Sequence, residues 1–160
     1  MPDQSTDYPS HSTFLGFDYS SNKIGIAVGQ RLTNTATPLT TLISHQKRID
    51  WPGIEQLIKQ WHPAALVIGL PLTMDGEEQE TTEAVKIFGN QLNERYNLHV
   101  HYMDERLTSR EASEMLGYNG ITSPRRKSRP GKKVKKHQQQ GYDIDQVAAQ
   151  LILQGWLNSF

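Results

Sequence analysis

Apolar and polar positions set the element pattern from the start of the chain. In FLGFDYSSNKIGIAVGQ, residues 14–30, Phe14, Gly16 and Asp18 and then Ile24, Ile26 and Val28 mark two strands. They run from about Phe14 to Tyr19 and from Ile24 to Gln30, joined by a short polar turn. PLTTLI, from Pro38 to Ile43, suits a third, antiparallel strand. Asp50 can cap a helix from Trp51 to about His62, with Leu57, Ile58 and Trp61 on one face and Pro63 as its stop. ALVIGL, Ala65–Leu70, is an unbroken apolar run of the kind found in a strand covered on both faces. Helical spacing returns in Ala84, Ile87, Phe88 and Leu92, within a helix from about Glu80 to Tyr96. LHVHYM, Leu98–Met103, alternates like a strand, and Thr108 with Glu111 forms a capping box for a short helix reaching Leu116. A last helix, from Asp143 to about Leu157, places Ile144, Val147, Ala148, Leu151 and Ile152 on one face.

The order β-β-β-α-β-α-β-α-α predicts an α/β domain with a mixed sheet, whose strand order periodicity alone does not determine. Residues 1–13 are polar and are expected to be disordered. Residues 14–160 make one domain, and 117–141, rich in basic residues, glycine, proline and glutamine, read as a mobile loop. At 160 residues the chain is long enough for a proper core and short for two domains. It contains no cysteine, which excludes disulfides and thiolate zinc sites. No secretory layout and no apolar run of membrane-spanning length is present, so a cytoplasmic protein without membrane partners is expected.

Formal charge sums to zero, yet it is segregated. RRKSRPGKKVKK, Arg125–Lys136, holds eight basic residues and no acid, which leaves the remainder with a net charge of −8. The acids fall where a core would not choose them. Asp18 lies inside the first strand, Asp104 and Glu105 end the last one, and Asp145 stands in the first turn of the final helix. Each has a structural explanation: a turn starter at Asp18, a dipole-favoured residue at Asp145, and ion pairs with Arg106 or Arg110 for the DE pair. The basic run on its own reads equally as a solvated loop. Taken together they suit a different chemistry. Clustered carboxylates repel unless a cation neutralises them, and hard oxygen ligands select Mg²⁺ or Mn²⁺. Two such ions activate water against a phosphodiester, and nucleic acid gives the basic run its task.

FDYSSNKIGIAVGQ, VIGLPLTMDG, DERLTSREA and DIDQVAAQLIL together resemble the YqgF/RuvX family of ribonuclease H-like proteins, over about Phe14–Leu157. The resemblance implies a five-stranded mixed sheet of order 3-2-1-4-5 flanked by helices, and a metal-dependent nuclease site at the strand ends that matures the 5′ end of pre-16S rRNA or resolves Holliday junctions. Its catalytic acids fall on Asp18, Glu105, Asp145 and Asp104, with Asp18, Glu105 and Asp145 as ligands of Mg²⁺ or Mn²⁺. Lys23, Asp75, Arg106, Arg125, Arg126, Lys132, Lys133, Lys135 and Lys136 are the candidate substrate contacts. The implied partners are structured RNA or branched DNA and ribosomal precursor particles, with the protein a monomer or homodimer. Ser20 and Ser21 stand where the family has glycine and threonine, and Asp143 where it often has lysine. Two other functions fit the same elements: an ATP-binding phosphotransferase-like module using Ser20 and Ser21, and a non-enzymatic RNA-binding ribosome-assembly factor.

Overall fold

The computed structural model describes residues 8–46, 48–71, 80–104 and 143–160. Five strands, β1 (Thr13–Tyr19), β2 (Lys23–Gln30), β3 (Thr35–Ile43), β4 (Ala65–Leu70) and β5 (His99–Asp104), form one sheet of order β3-β2-β1-β4-β5. The β1–β2 and β2–β3 pairs are antiparallel, whereas β1–β4 and β4–β5 are parallel. The strand order is the one the resemblance implies. The unbroken run in β4 has its reason in the sheet: Ala65, Leu66, Val67 and Ile68 are all fully buried between two layers.

Period-two alternation divides the apolar residues between two cores. Leu15, Phe17, Ile24, Ile26, Leu66 and Ile68 face Ile54 of helix α1 (Trp51–Trp61) and Val85, Phe88 and Leu92 of helix α2 (Glu80–Tyr96). Phe14, Ala27, Ala65 and Val67 face Ala149, Ile152, Leu153, Trp156 and Leu157 of helix α3 (Ile144–Leu157). On the α3 side β1 and β2 carry glycine at positions 16, 25 and 29, directly beneath the helix. A Cβ at Gly16 would lie 2.7 Å from the Cβ of Leu153, and one at Gly29 would lie 3.0 Å from methyl groups of Leu153 and Leu157. At Gly25 it would collide with the backbone carbonyl of Asp145. The helix therefore rests on the sheet backbone itself.

The elements begin and end close to where their sequences direct. The Asp50 carboxylate caps α1 by accepting from the Gly53 N–H at 3.0 Å, and His62 closes it in the left-handed region at φ 47°. Two boundaries differ from expectation. β3 starts at Thr35, ahead of Pro38, because β3 is an edge strand and the missing proline N–H breaks no ladder bond there. The N-terminal segment, expected to be disordered through residue 13, is described from Tyr8 onward. The Tyr8 ring packs edge-on against Phe14 and Trp156, and its hydroxyl lies 2.9 Å from His101 Nε2. His101 is thus half-buried, and His99 beside it is exposed.

Along the outer edge of β3, α3 supplies glutamines at helical spacing. Gln150 donates to the Ala36 carbonyl at 3.1 Å, and Gln154 accepts from the Ala36 N–H at 3.0 Å and donates to the Asn34 carbonyl at 2.8 Å.

Gly25→Ala is expected to lift the first turn of α3 from β2. Overpacking of this kind costs about 1–3 kcal/mol, which corresponds to a melting temperature lower by roughly 2–10 °C for a domain of this size. Thermal unfolding followed by circular dichroism measures it.

Candidate nuclease site at the strand ends

Because β1, β4 and β5 run in parallel, their carboxyl ends share one end of the sheet, where α/β folds place their ligand crevices. Asp18 is the penultimate residue of β1 and pairs across the ladder with Gly25. Directly paired residues project to the same face, and Gly25 is where the backbone of Asp145 rests on the sheet. The start of α3 is thereby seated over the position opposite Asp18. The absence of a side chain in β2 brings together two acids far apart in sequence.

Part of the negative charge at this point is met from within the protein. The Lys23 ammonium lies 2.8 Å from Asp145 Oδ2, an oxygen shielded from solvent. The Asp145 side chain is 18 % exposed and that of Lys23 46 %. The hydrogen bond with Asp145, and then its charge, hold the Lys23 ammonium above its usual pKa, with smaller contributions from Asp143 and Asp18. Those contributions place both further acids within electrostatic reach of the same lysine.

Asp143 caps α3. Its carboxylate accepts from the Gln146 N–H at 3.0 Å and from the Thr41 hydroxyl at 3.0 Å. Asp143 thus fixes the first turn of the helix, and with it Asp145, to the end of β3.

A groove of about 300 Å³ opens beside Asp18, lined by Tyr19, Ser20, Ser21, Pro71, Thr81 and Ala84. Thr82, fully buried, donates its hydroxyl to the Pro71 carbonyl and ties the start of α2 to the end of β4. The Tyr19 ring stacks on Phe88 of α2, with centroids 4.7 Å apart. Ser20 is committed to the β1–β2 turn, its hydroxyl donating to the Lys23 carbonyl at 2.8 Å and accepting from the Lys23 N–H at 3.2 Å.

Of the residues singled out from the sequence, Asp18, Lys23 and Asp145 come together at this end. Asp104 takes another direction. It pairs with Leu70 and continues the face of Val100 and Tyr102, which is the α1/α2 side of the sheet, whereas Asp18 belongs to the α3 side. Asp75, Glu105, Arg106, Arg125, Arg126, Lys132, Lys133, Lys135 and Lys136 lie outside the described residues. Among the described residues no group of three His, Asp or Glu side chains converges at metal-ligating distance. Sequence reasoning missed Gly25 and Thr41. A glycine inside a strand period is a sign of close backbone approach, so Gly25 carried a usable signal. Thr41 carried none, since its partner lies across the fold.

The family model described as "RuvX: Holliday junction resolvase" matches residues 12–159. A protein of Nitrosococcus oceani named "Putative pre-16S rRNA nuclease" is 46 % identical over 154 residues, covering 94 % of this chain and 91 % of its own. A protein of the same name from Aeromonas salmonicida is 40 % identical over 152 residues, covering 92 % of this chain and 96 % of its own. Among solved structures, T. thermophilus RuvC in complex with a Holliday junction substrate superposes with a TM-score of 0.52 at 10 % identity, covering 93 % of this chain and 95 % of that one. At that identity the likeness concerns the fold.

Asp143→Ala is expected to cost about 1 kcal/mol, typical of a lost N-cap. Thr41→Val on the Asp143→Ala background should then add less than it does in the wild-type chain, because both changes remove the same contact. Denaturant unfolding of the two single variants and the double variant measures the coupling.

Proposed function

The chain belongs to the RuvX family, and on that premise we propose that it is a metal-dependent nuclease that trims the 5′ end of a precursor of 16S rRNA. The observation that carries this reading is the seating of α3 on Gly25, which brings Asp145 to the face of Asp18 at the carboxyl ends of the parallel strands. The relatives at 40–46 % identity are named for pre-16S rRNA, whereas the junction-bound structure is alike in fold alone, so RNA is the favoured substrate.

The residues present fit a divalent cation. The donors are carboxylate oxygens, which suit Mg²⁺ or Mn²⁺. One of them, Asp145 Oδ2, is buried and already set against a positive charge. Asp18 and Asp145 would hold the ion, with Glu105 as the third acid. Asp104 lies on the α1/α2 side of the sheet, away from the Asp18 face, which favours Glu105 over Asp104 as the third acid. When bound, the ion supplies an activated water and neutralises charge developing on the phosphate. Asp143 and Thr41 hold Asp145 still, and Gly25 leaves it room. Lys23 stands beside the acids with its stem exposed, where a substrate phosphate can reach it. The groove beside Asp18 provides an entry for the strand. The run Arg125–Lys136 supplies affinity by displacing counterions from phosphates. The commitment of the Ser20 hydroxyl to its own turn weighs against an ATP-holding role for the hairpin.

Purified protein incubated with a 5′-extended 16S precursor and with a four-way DNA junction, in Mn²⁺, Mg²⁺ or EDTA, tests the reading. Cleavage of the precursor in either metal and none in EDTA is expected. Cutting of the junction alone would assign a DNA substrate, and cutting in EDTA would remove the metal. Asp18→Asn and Asp145→Asn should each reduce cleavage at least ~100-fold with the fold retained, the scale of loss seen when a group stabilising transition-state charge is removed. Asp104→Asn should leave Mn²⁺ affinity nearly unchanged and Glu105→Gln should weaken it, as calorimetry would show.

Replacing Lys132, Lys133, Lys135 and Lys136 by alanine should flatten the salt dependence of duplex binding by up to about 3–4 units. Turnover at saturating substrate should change little. Fluorescence anisotropy across a salt series reads the slope, and an unaltered slope would place these lysines away from the substrate.

A further inference from the structure

The Lys23–Asp145 pair has an asymmetry that bears on how the acidic site is loaded. The acid is the constrained partner. Its helix start is seated on Gly25, its turn is capped by Asp143, and its side chain is 18 % exposed. The base is the free partner. The backbone of Lys23 is fixed in the ladder opposite Ile43, but its side chain is 46 % exposed and reaches Asp145 by a four-carbon stem. Separating the two thus requires only rotation of the lysine, a side chain with many accessible rotamers.

We propose that Lys23 is the resident counter-cation of the acidic site, holding the Asp145 carboxylate until a divalent ion takes its place, and that this exchange turns the freed ammonium toward the substrate phosphate. The inference rests on the reading that Asp18 and Asp145 hold a metal ion. Its physical basis is that Asp145 Oδ2 already carries the ammonium at 2.8 Å. A divalent ion binding the same oxygen at about 2.0–2.1 Å would set two cations within a few ångströms of each other, a strongly repulsive arrangement. Asp145 keeps a cation beside it throughout, and a positive group is delivered beside the metal only once the metal is there.

The test uses the full chain, with wild type, Lys23→Met and Lys23→Arg titrated with MnCl₂ by calorimetry and melted in EDTA and in Mn²⁺. Without its competitor the site in Lys23→Met should bind Mn²⁺ about two- to fivefold more tightly, the scale of a partly exposed ion pair. The same variant should melt lower than wild type in EDTA and show a larger Mn²⁺-induced rise. Lys23→Arg, which keeps the charge, should stay close to wild type. In the wild-type protein, the side-chain ¹⁵N resonance of Lys23 should shift on addition of Mg²⁺, which requires no variant to fold. Equal or weaker Mn²⁺ binding by Lys23→Met, or an unmoved resonance in a protein that binds Mg²⁺, overturns the exchange and leaves the metal site standing. No binding of Mn²⁺ by wild type removes the metal site and the exchange together.

Discussion

The arrangement depends on the contact between a helix and the bare backbone of two strands. Protein layers pack at the distance their side chains impose, and in β1 and β2 glycine at positions 16, 25 and 29 removes that spacing on one face only. The result is specific to a place. Near the middle of α3 the closeness serves packing, since Leu153 fills the space over Gly16 and Gly29. At its start the closeness gathers charge, since the carbonyl of Asp145 lies over Gly25 and the carboxylate of the same residue stands beside Lys23. One packing rule therefore yields both the second core and the acidic site.

The sequence presented two meanings for Asp145, a dipole-favoured residue of a first helical turn and a ligand. In the structure these are compatible. Asp143 and Asp145 both stand at the start of α3, where the unpaired N–H groups favour negative charge. That preference lowers the cost of holding acids together in a half-buried place, so the helix end supports the cluster rather than competing with it. Lys23 contributes from the opposite direction, out of the strand. Asp143 has a double use of the same kind: it caps the helix and accepts from Thr41, so it holds the helix to β3.

Much of the fold could be read from local patterns because those patterns are local in cause. ALVIGL is buried on both sides and shows it, with bounds that match Ala65–Leu70, and the Asp50 cap and Pro63 stop bracket α1. Strand alternation also held the information that Asp18 and Asp104 project to opposite faces, once the strand order was known. What the sequence could not show is contact between distant elements. Pro38 reads as a strand start until β3 is known to be an edge, and the polar tail reads as disordered until Tyr8 is found against Trp156. Likewise nothing in NKIGIA announces that Lys23 meets Asp145, because the partner becomes adjacent only through the crossing of α3 over β2.

The glutamine row on α3 bears on how copies of this chain behave in a crowded solution. An open sheet invites another strand to pair with its unsatisfied outer groups, a route to unwanted association. Here the N–H and carbonyl of Ala36 and the carbonyl of Asn34 are already engaged by Gln150 and Gln154. At Pro38, two residues beyond Ala36 on the same side, no N–H exists to be offered. A strand arriving at β3 would have to break three side-chain bonds to form its own, with little net gain in hydrogen bonding. The first part of this flank is thus guarded against templated growth by the helix that also carries Asp145.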